Sequence, residues 1–170
     1  MKLDLTHIAR EPGAVLPFER ELDLSPVEWN GQRPFTGGIR VTGRVRNMAG
    51  AMVLDARLNS VLSLVCDRCA RPFRREKTVE YETLLALTLE NGESDDIVLL
   101  DGDGGLDLDG LMEEVFLLEM DTKNLCSEDC KGLCPGCGSD LNRESCRCKK
   151  EIDPRLAGLA RLLENREHDK

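Results

Sequence analysis

Between residues 38 and 89, apolar and polar side chains alternate along the chain. Ile39, Val41 and Val45 sit among Arg40, Thr42, Arg44 and Arg46. A period of two puts the apolar set on one face of a strand and the charged set on the other. Asn47 to Gly50 supplies turn residues. Met52, Leu54, Ala56, Leu58, Leu62 and Leu64 then hold even positions, opposite Asp55, Arg57, Asn59 and Ser63. After Phe73, Val79, Tyr81, Leu85, Leu87 and Leu89 share odd positions, with Arg74, Glu76, Glu80 and Glu82 facing away. Three long alternating strands on short connections predict an antiparallel meander. Upstream, Leu3/Leu5 and Leu22/Leu24 are broken by Pro12-Gly13 and Pro26 and predict one or two edge strands. Trp29 reads as a packing residue.

Helical spacing enters later. Asp109 is placed to cap a helix running through about Met120, with Leu111, Met112, Val115, Phe116 and Leu118 as its apolar face. That face should lie on the sheet. Glu113 and Glu114 fall in the first turns, where the helix dipole favours anions, and need no catalytic role. Asp153-Pro154-Arg155 opens a second helix through Leu156, Leu159 and Leu163, fraying from Asn165. The fold class is therefore α+β: an antiparallel sheet of about five strands, a covering helix, a Cys-rich lobe and a C-terminal helix. The boundaries fall at residues 1–121, 122–150 and 151–170, within one integrated domain.

Composition narrows the chemistry. The 170 residues are 41% hydrophobic but only 4% aromatic, so Leu, Val and Ile must build the core. The net charge of −9 argues against broad, nonspecific nucleic-acid binding. No apolar run is long enough for a signal peptide or a membrane span, which predicts a cytoplasmic protein with no membrane partner. In a reducing compartment, eight cysteines point to metal rather than disulfides.

The cysteines form four close pairs: Cys66/Cys69, Cys126/Cys130, Cys134/Cys137 and Cys146/Cys148. Zinc takes four ligands in a tetrahedron, and a C-x-x-C turn supplies one edge of it. Eight thiols thus make two sites with none left over. A redox motif would open a helix after a strand, whereas Cys66 lies in a turn before Pro72 and another strand. The spacings do not match iron–sulfur ferredoxins. We favour Cys134/Cys137 with Cys146/Cys148, since Pro135-Gly136 and Gly138 turn tightly and only eight residues separate the pairs. Cys66/Cys69 then joins Cys126/Cys130, stapling the hairpin tip to the lobe. The runner-up places Cys126, Cys130, Cys134 and Cys137 on one metal and the outer pairs on the other. Four-thiolate zinc sites lack an open position, so both are expected to be structural.

Charge is uneven. Arg68, Arg71, Arg74, Arg75 and Lys77 crowd the first knuckle, and Arg143, Arg147, Lys149, Lys150 and Arg155 the last. Arg71, Arg74, Arg75, Arg147 and Lys149 are the candidates for an RNA-binding patch. Equally, these residues could neutralise thiolates, each four-thiolate zinc site carrying about −2. Residues 78–122 contain no Lys or Arg. Asp101-Gly102-Asp103 opens a stretch that departs from the calcium-loop template at Leu106 and Met112, and reads as a solvated acidic loop.

The run Cys126-Ser127-Glu128-Asp129-Cys130-Lys131-Gly132-Leu133-Cys134-Pro135-Gly136-Cys137-Gly138-Ser139-Asp140-Leu141-Asn142, with Cys146-Arg147-Cys148 and Asp153-Pro154-Arg155-Leu156, resembles the YceD-like family. This is the bacterial and plastid family of large ribosomal RNA subunit accumulation proteins. Cys66-x-x-Cys69-x-Arg71-Pro72-Phe73 is similar as well. The resemblance implies a role in making, processing or stabilising 23S rRNA. It transfers the cysteines as metal ligands and no catalytic residue. The expectation is a non-enzymatic ribosome-biogenesis factor with two zinc ions, partnered by large-subunit rRNA and taking no small-molecule substrate. One alternative is a zinc-dependent adaptor binding a basic ribosomal protein through residues 78–122. The other, weaker, is a nuclease using a metal on Asp101, Asp103 and Asp107.

Overall fold

The computed structural model describes residues 2–88 and 97–148. The chain runs β1 (Lys2–Asp4), α1 (Thr6–Arg10), β2 (Val15–Leu22), β3 (Ile39–Met48), β4 (Ala51–Val65), β5 (Pro72–Ala86), β6 (Ile97–Leu99), β7 (Gly105–Asp107) and α2 (Leu108–Leu118). β2 to β6 form one five-stranded sheet in sequence order, and β1 pairs with β7 apart from it. The meander expected from alternation is present: β2, β3, β4 and β5 pair antiparallel. β6 departs from the expected antiparallel pattern and lies parallel to β5, opposite Leu84 to Ala86. Three residues are too few to show alternation, so pattern alone could not find or orient it.

Register explains the core. Val41, Leu58 and Val79 lie across from one another, as do Val45, Leu54 and Thr83. Ile39, Val41, Val45, Leu54 and Leu58 have no measurable exposure. Met112, Val115 and Phe116 of α2 join the same cluster, and Phe116 meets Phe35 edge-on at 6.1 Å. The opposite face of the sheet carries cross-strand ion pairs, including Arg40–Glu19, Arg46–Asp55 and Arg57–Glu80.

Three expectations shift locally. β5 ends at Ala86, so Leu87 is exposed and Leu89 lies outside the described residues. α2 is capped by Asp107, which accepts from the Gly110 amide, and Asp109 falls in the first turn near Arg20. Leu108 supplies the reason: it is fully buried, so the helix must begin early enough to pack it. The helix beginning at Asp153 lies outside the described residues.

The long β4–β5 hairpin projects past β3, whose pairing ends opposite Asn59. Residues 32–36 cover the exposed edge: Ser63 N donates to Pro34 O at 2.9 Å and Val65 N to Gln32 Oε1 at 3.0 Å. Edge groups left bare would invite pairing with another chain. The hairpin thereby carries its tip, Cys66 to Cys69, to the start of the Cys-rich segment.

Candidate metal centres

Both knuckles are built alike. Cys66 N donates to Arg71 O at 2.9 Å, and Ala70 N to Cys66 O at 2.8 Å. In the second, Cys134 N donates to Ser139 O at 2.8 Å, and Gly138 N to Cys134 O at 2.8 Å. Ala70 and Gly138 both adopt positive φ, 56° and 75°. This turn points amides inward, where they stabilise thiolates.

The sulfurs gather into two sets, Cys66/Cys69/Cys126/Cys130 and Cys134/Cys137/Cys146/Cys148, each within 4.8 Å. The runner-up grouping is not the one the fold makes. In the first set Cys66 and Cys130 Sγ lie 3.8 Å apart, and Cys69 and Cys126 Sγ 3.7 Å. A tetrahedron with Zn–S of about 2.3 Å has edges of about 3.8 Å, and these two edges match it. In the second set two edges are shorter, Cys134–Cys146 at 3.1 Å and Cys137–Cys146 at 3.5 Å. An ion there would spread it slightly. Four thiols each suit a soft or borderline metal.

The two sets differ in setting. Cys66, Cys69 and Cys130 are 1%, 4% and 3% exposed and pack with Phe73 and Leu125, while Cys137 and Cys148 are exposed. The first set takes one pair from the hairpin tip and the other from beyond α2. Asp67 holds these two segments together: its N–H donates to Asn124 O at 2.8 Å, and its carboxylate accepts from Asn124 N. Arg68 Nη1 donates to Cys130 O at 2.8 Å. Gly132 must be glycine, since it has φ 76° and a Cβ there would sit 2.9 Å from Arg68 O.

Charge follows the geometry. Burial pushes the Cys66 thiol up, but backbone amides of Cys126, Cys69 and Arg68 outweigh it and bring it to about 6. The Ser139 hydroxyl and amide bring Cys137 to about 6. Burial and neighbouring thiols lift Cys126 to about 11, and Cys146 and Cys137 lift Cys148 to about 12. Cys66/Cys69 and Cys134/Cys137 thus ionise first, and Cys126, Cys146 and Cys148 hold protons that a metal must displace.

The proposed basic patch does not gather on one face. Arg71 directs Nη2 at Cys126 Sγ, 3.8 Å away, and its Nε lies 3.9 Å from Asp140. Arg75 bonds Asp121 at 3.0 Å and Leu125 O at 2.6 Å. Strand alternation turns Arg74 to the other side of the hairpin, where it is exposed. Arg147 is exposed beside the second set, and Lys149 lies outside the described residues. Asp101 and Asp103 both bond Lys2 Nζ at 2.8 Å, and Asp107 caps α2, so these carboxylates serve the fold.

Sequence reading missed Asn142. Its Nδ2 lies 3.5 Å from Cys130 Sγ and 2.7 Å from Asp140 Oδ1, while its Oδ1 accepts from Lys131 N at 2.8 Å. The loop between the second set's ligand pairs therefore reaches back to the first set. No spacing rule marks such an outer-shell residue.

A family model described as large ribosomal RNA subunit accumulation protein YceD matches residues 54–163, a span containing all eight cysteines. An uncharacterized protein of Mycobacterium tuberculosis is 26% identical over 175 residues, covering 96% of this chain and 81% of that one. The uncharacterized protein YlbN of Bacillus subtilis is 27% identical over 166 residues, 96% of each. A Zea mays protein named large ribosomal RNA subunit accumulation protein YCED homolog 1, chloroplastic, is 29% identical over 152 residues, 70% of this chain and 51% of that protein. No solved structure matches. Among the described residues no helix is long and apolar enough to cross a membrane. Because the family match takes in most of the chain, including both four-cysteine sets, the protein belongs to the YceD family.

Proposed function

We propose that this chain is a non-enzymatic, cytoplasmic ribosome-biogenesis factor that supports the synthesis, processing or stability of 23S rRNA. The family match carries the reading. Two structural zinc ions, one per four-cysteine set, hold the hairpin tip and the lobe in one rigid surface. Four protein thiolates would complete each zinc shell and leave no position for water, which suits a scaffold rather than hydrolysis. Of the candidate basic residues, Arg74 and Arg147 are exposed and stand ready to meet phosphate. Depletion of the protein should lower 23S rRNA relative to 16S rRNA, and crosslinking in cells should recover large-subunit rRNA or its precursor. An unchanged ratio with no enrichment of large-subunit rRNA would overturn the reading.

A second reading, an adaptor for a basic ribosomal protein, is favoured by one observation. Glu113 and Glu114 on α2, and Glu119 just after it, have no ion pair among the described residues, and residues 78–122 bring no cation of their own.

A further inference from the structure

Residues Gly110, Glu113, Glu114, Leu117 and Leu118 recur at helical spacing and line one side of a groove along α2. Trp29, Met120 and Thr122 complete its lining, around about 560 Å³. Trp29 is held by reciprocal backbone bonds with Gln32, at 2.8 and 3.0 Å. Its indole Nε1 is buried and has no acceptor among the described residues. Leu118 is 77% exposed, the most exposed of the large apolar side chains in the described residues. An exposed leucine and an indole edge beside one another, rimmed by carboxylates, form an apolar floor with an anionic border.

We propose that this groove docks a basic amphipathic helix of a protein partner. The inference deepens the adaptor reading and rests on it. The groove follows a helix axis for about two turns, the geometry of helix-in-groove recognition. Leu and Met on the incoming helix would cover Leu118, Leu117 and the Trp29 ring, and Lys or Arg at its flanks would meet Glu113, Glu114 and Glu119. RNA is disfavoured because the groove is lined by carboxylates and by no Lys or Arg, and the cations at its ends, Arg20, Arg75 and Lys77, are already paired with Asp109 and Asp121. A second copy of the chain is disfavoured because each copy carries a net charge of −9.

The test uses the chain's own reporter, for Trp29 is its single tryptophan. An 18-residue helical Lys/Leu peptide lacking tryptophan is titrated into the intact, zinc-loaded protein while Trp29 emission is followed. Saturable change is expected. Leu118→Lys should weaken binding about tenfold or more, as loss of a central anchor does. Glu114→Lys should weaken it and make its salt dependence shallower. A Glu/Leu peptide of the same pattern should fail. Both substituted side chains lie on the surface of α2, so the variants should keep the wild-type circular dichroism. The proposal falls if the Lys/Leu peptide leaves Trp29 unchanged, if the two peptides bind alike, or if binding survives Leu118→Lys. It also falls if an RNA oligomer, or self-association seen by sedimentation, moves Trp29 in a Leu118-dependent way. Failure here leaves the 23S to 16S ratio, and so the biogenesis reading, to be judged separately.

Discussion

Ala70 and Gly138 occupy the same place in two knuckles, yet only one is glycine. At φ 56° a Cβ is strained, by roughly 1–2 kcal/mol. Ala70→Gly removes that strain but loosens the unfolded chain by about 0.4–1 kcal/mol, so denaturant unfolding should show no change or a gain of up to about 1.5 kcal/mol. Gly138→Ala meets no atom within 4 Å, and its backbone strain is partly offset by a stiffer unfolded chain, so it should cost no more than about 1.5 kcal/mol. A loss well beyond that would mean Gly138 does more than turn the chain. Arg71 makes a different point. It is drawn to Cys69 and faces Cys126, and these sulfurs, the Cys69 thiolate first, hold its guanidinium firmly protonated. Arg71→Gln should weaken metal retention at the first set about tenfold, read by chelator competition. Arg74→Gln, on the opposite face, should leave it unchanged.

At the scale of elements, the hairpin and the 138–145 loop are the two arms that close the first set. The hairpin brings ligands, and the loop brings Asn142 and Asp140 behind them. Cys69→Ser should loosen the hairpin tip from Asn124 and Cys130, seen as faster amide exchange at Asp67 and Leu133. Cys137→Ser should free the loop, and through Asn142 it should also lower metal retention at the first set. Asn142→Ala should reproduce that loss with both cysteine sets intact, by about tenfold. If Cys137→Ser leaves the first set as tight as before, the arms act separately. The three long strands β3 to β5, the turn at residues 47–50 and the four Cys pairs were legible in the sequence, because each is a local pattern. The parallel seating of β6 and the cap at Asp107 were not, because both answer to distant packing.

For the whole molecule, metal content is the first quantity to measure. Protein prepared without chelator should carry close to two zinc ions per chain, and an iron–sulfur absorption spectrum would exclude that assignment. Acidity should release them in a set order. Cys66 and Cys137 stay ionised down to about pH 6, so metal displaces protons chiefly from Cys126 and Cys148 above that pH. Below it the knuckle thiols also take up protons, and affinity should fall more steeply, the exposed second set emptying first. A titration followed by metal release would show two steps, with loss of the buried set coming later. RNA binding, if direct, should weaken in an Arg74→Gln/Arg147→Gln double variant. Its salt slope on single strands should become shallower by about 0.7 for each phosphate the variant no longer neutralises. Zinc content should be unaltered. Equal binding by wild type and variant would move recognition away from these residues.

Alternation and spacing along the chain determined the hairpins, the buried faces and the presence of eight paired thiols, since each depends on neighbours two to four residues away. They also pointed to the favoured grouping of the four pairs, through the short reach between Cys137 and Cys146. Tertiary structure alone decided what each charge is for. Arg71, Arg74 and Arg75 are neighbours in sequence, but one faces thiolates, one faces solvent and one bonds Asp121. Asp101 and Asp103 lie in an exposed loop, as read, but also close on Lys2 of the N-terminal strand. A side chain's partner across a fold is set by where β-strand register and helix packing bring distant segments together, and no local period encodes that.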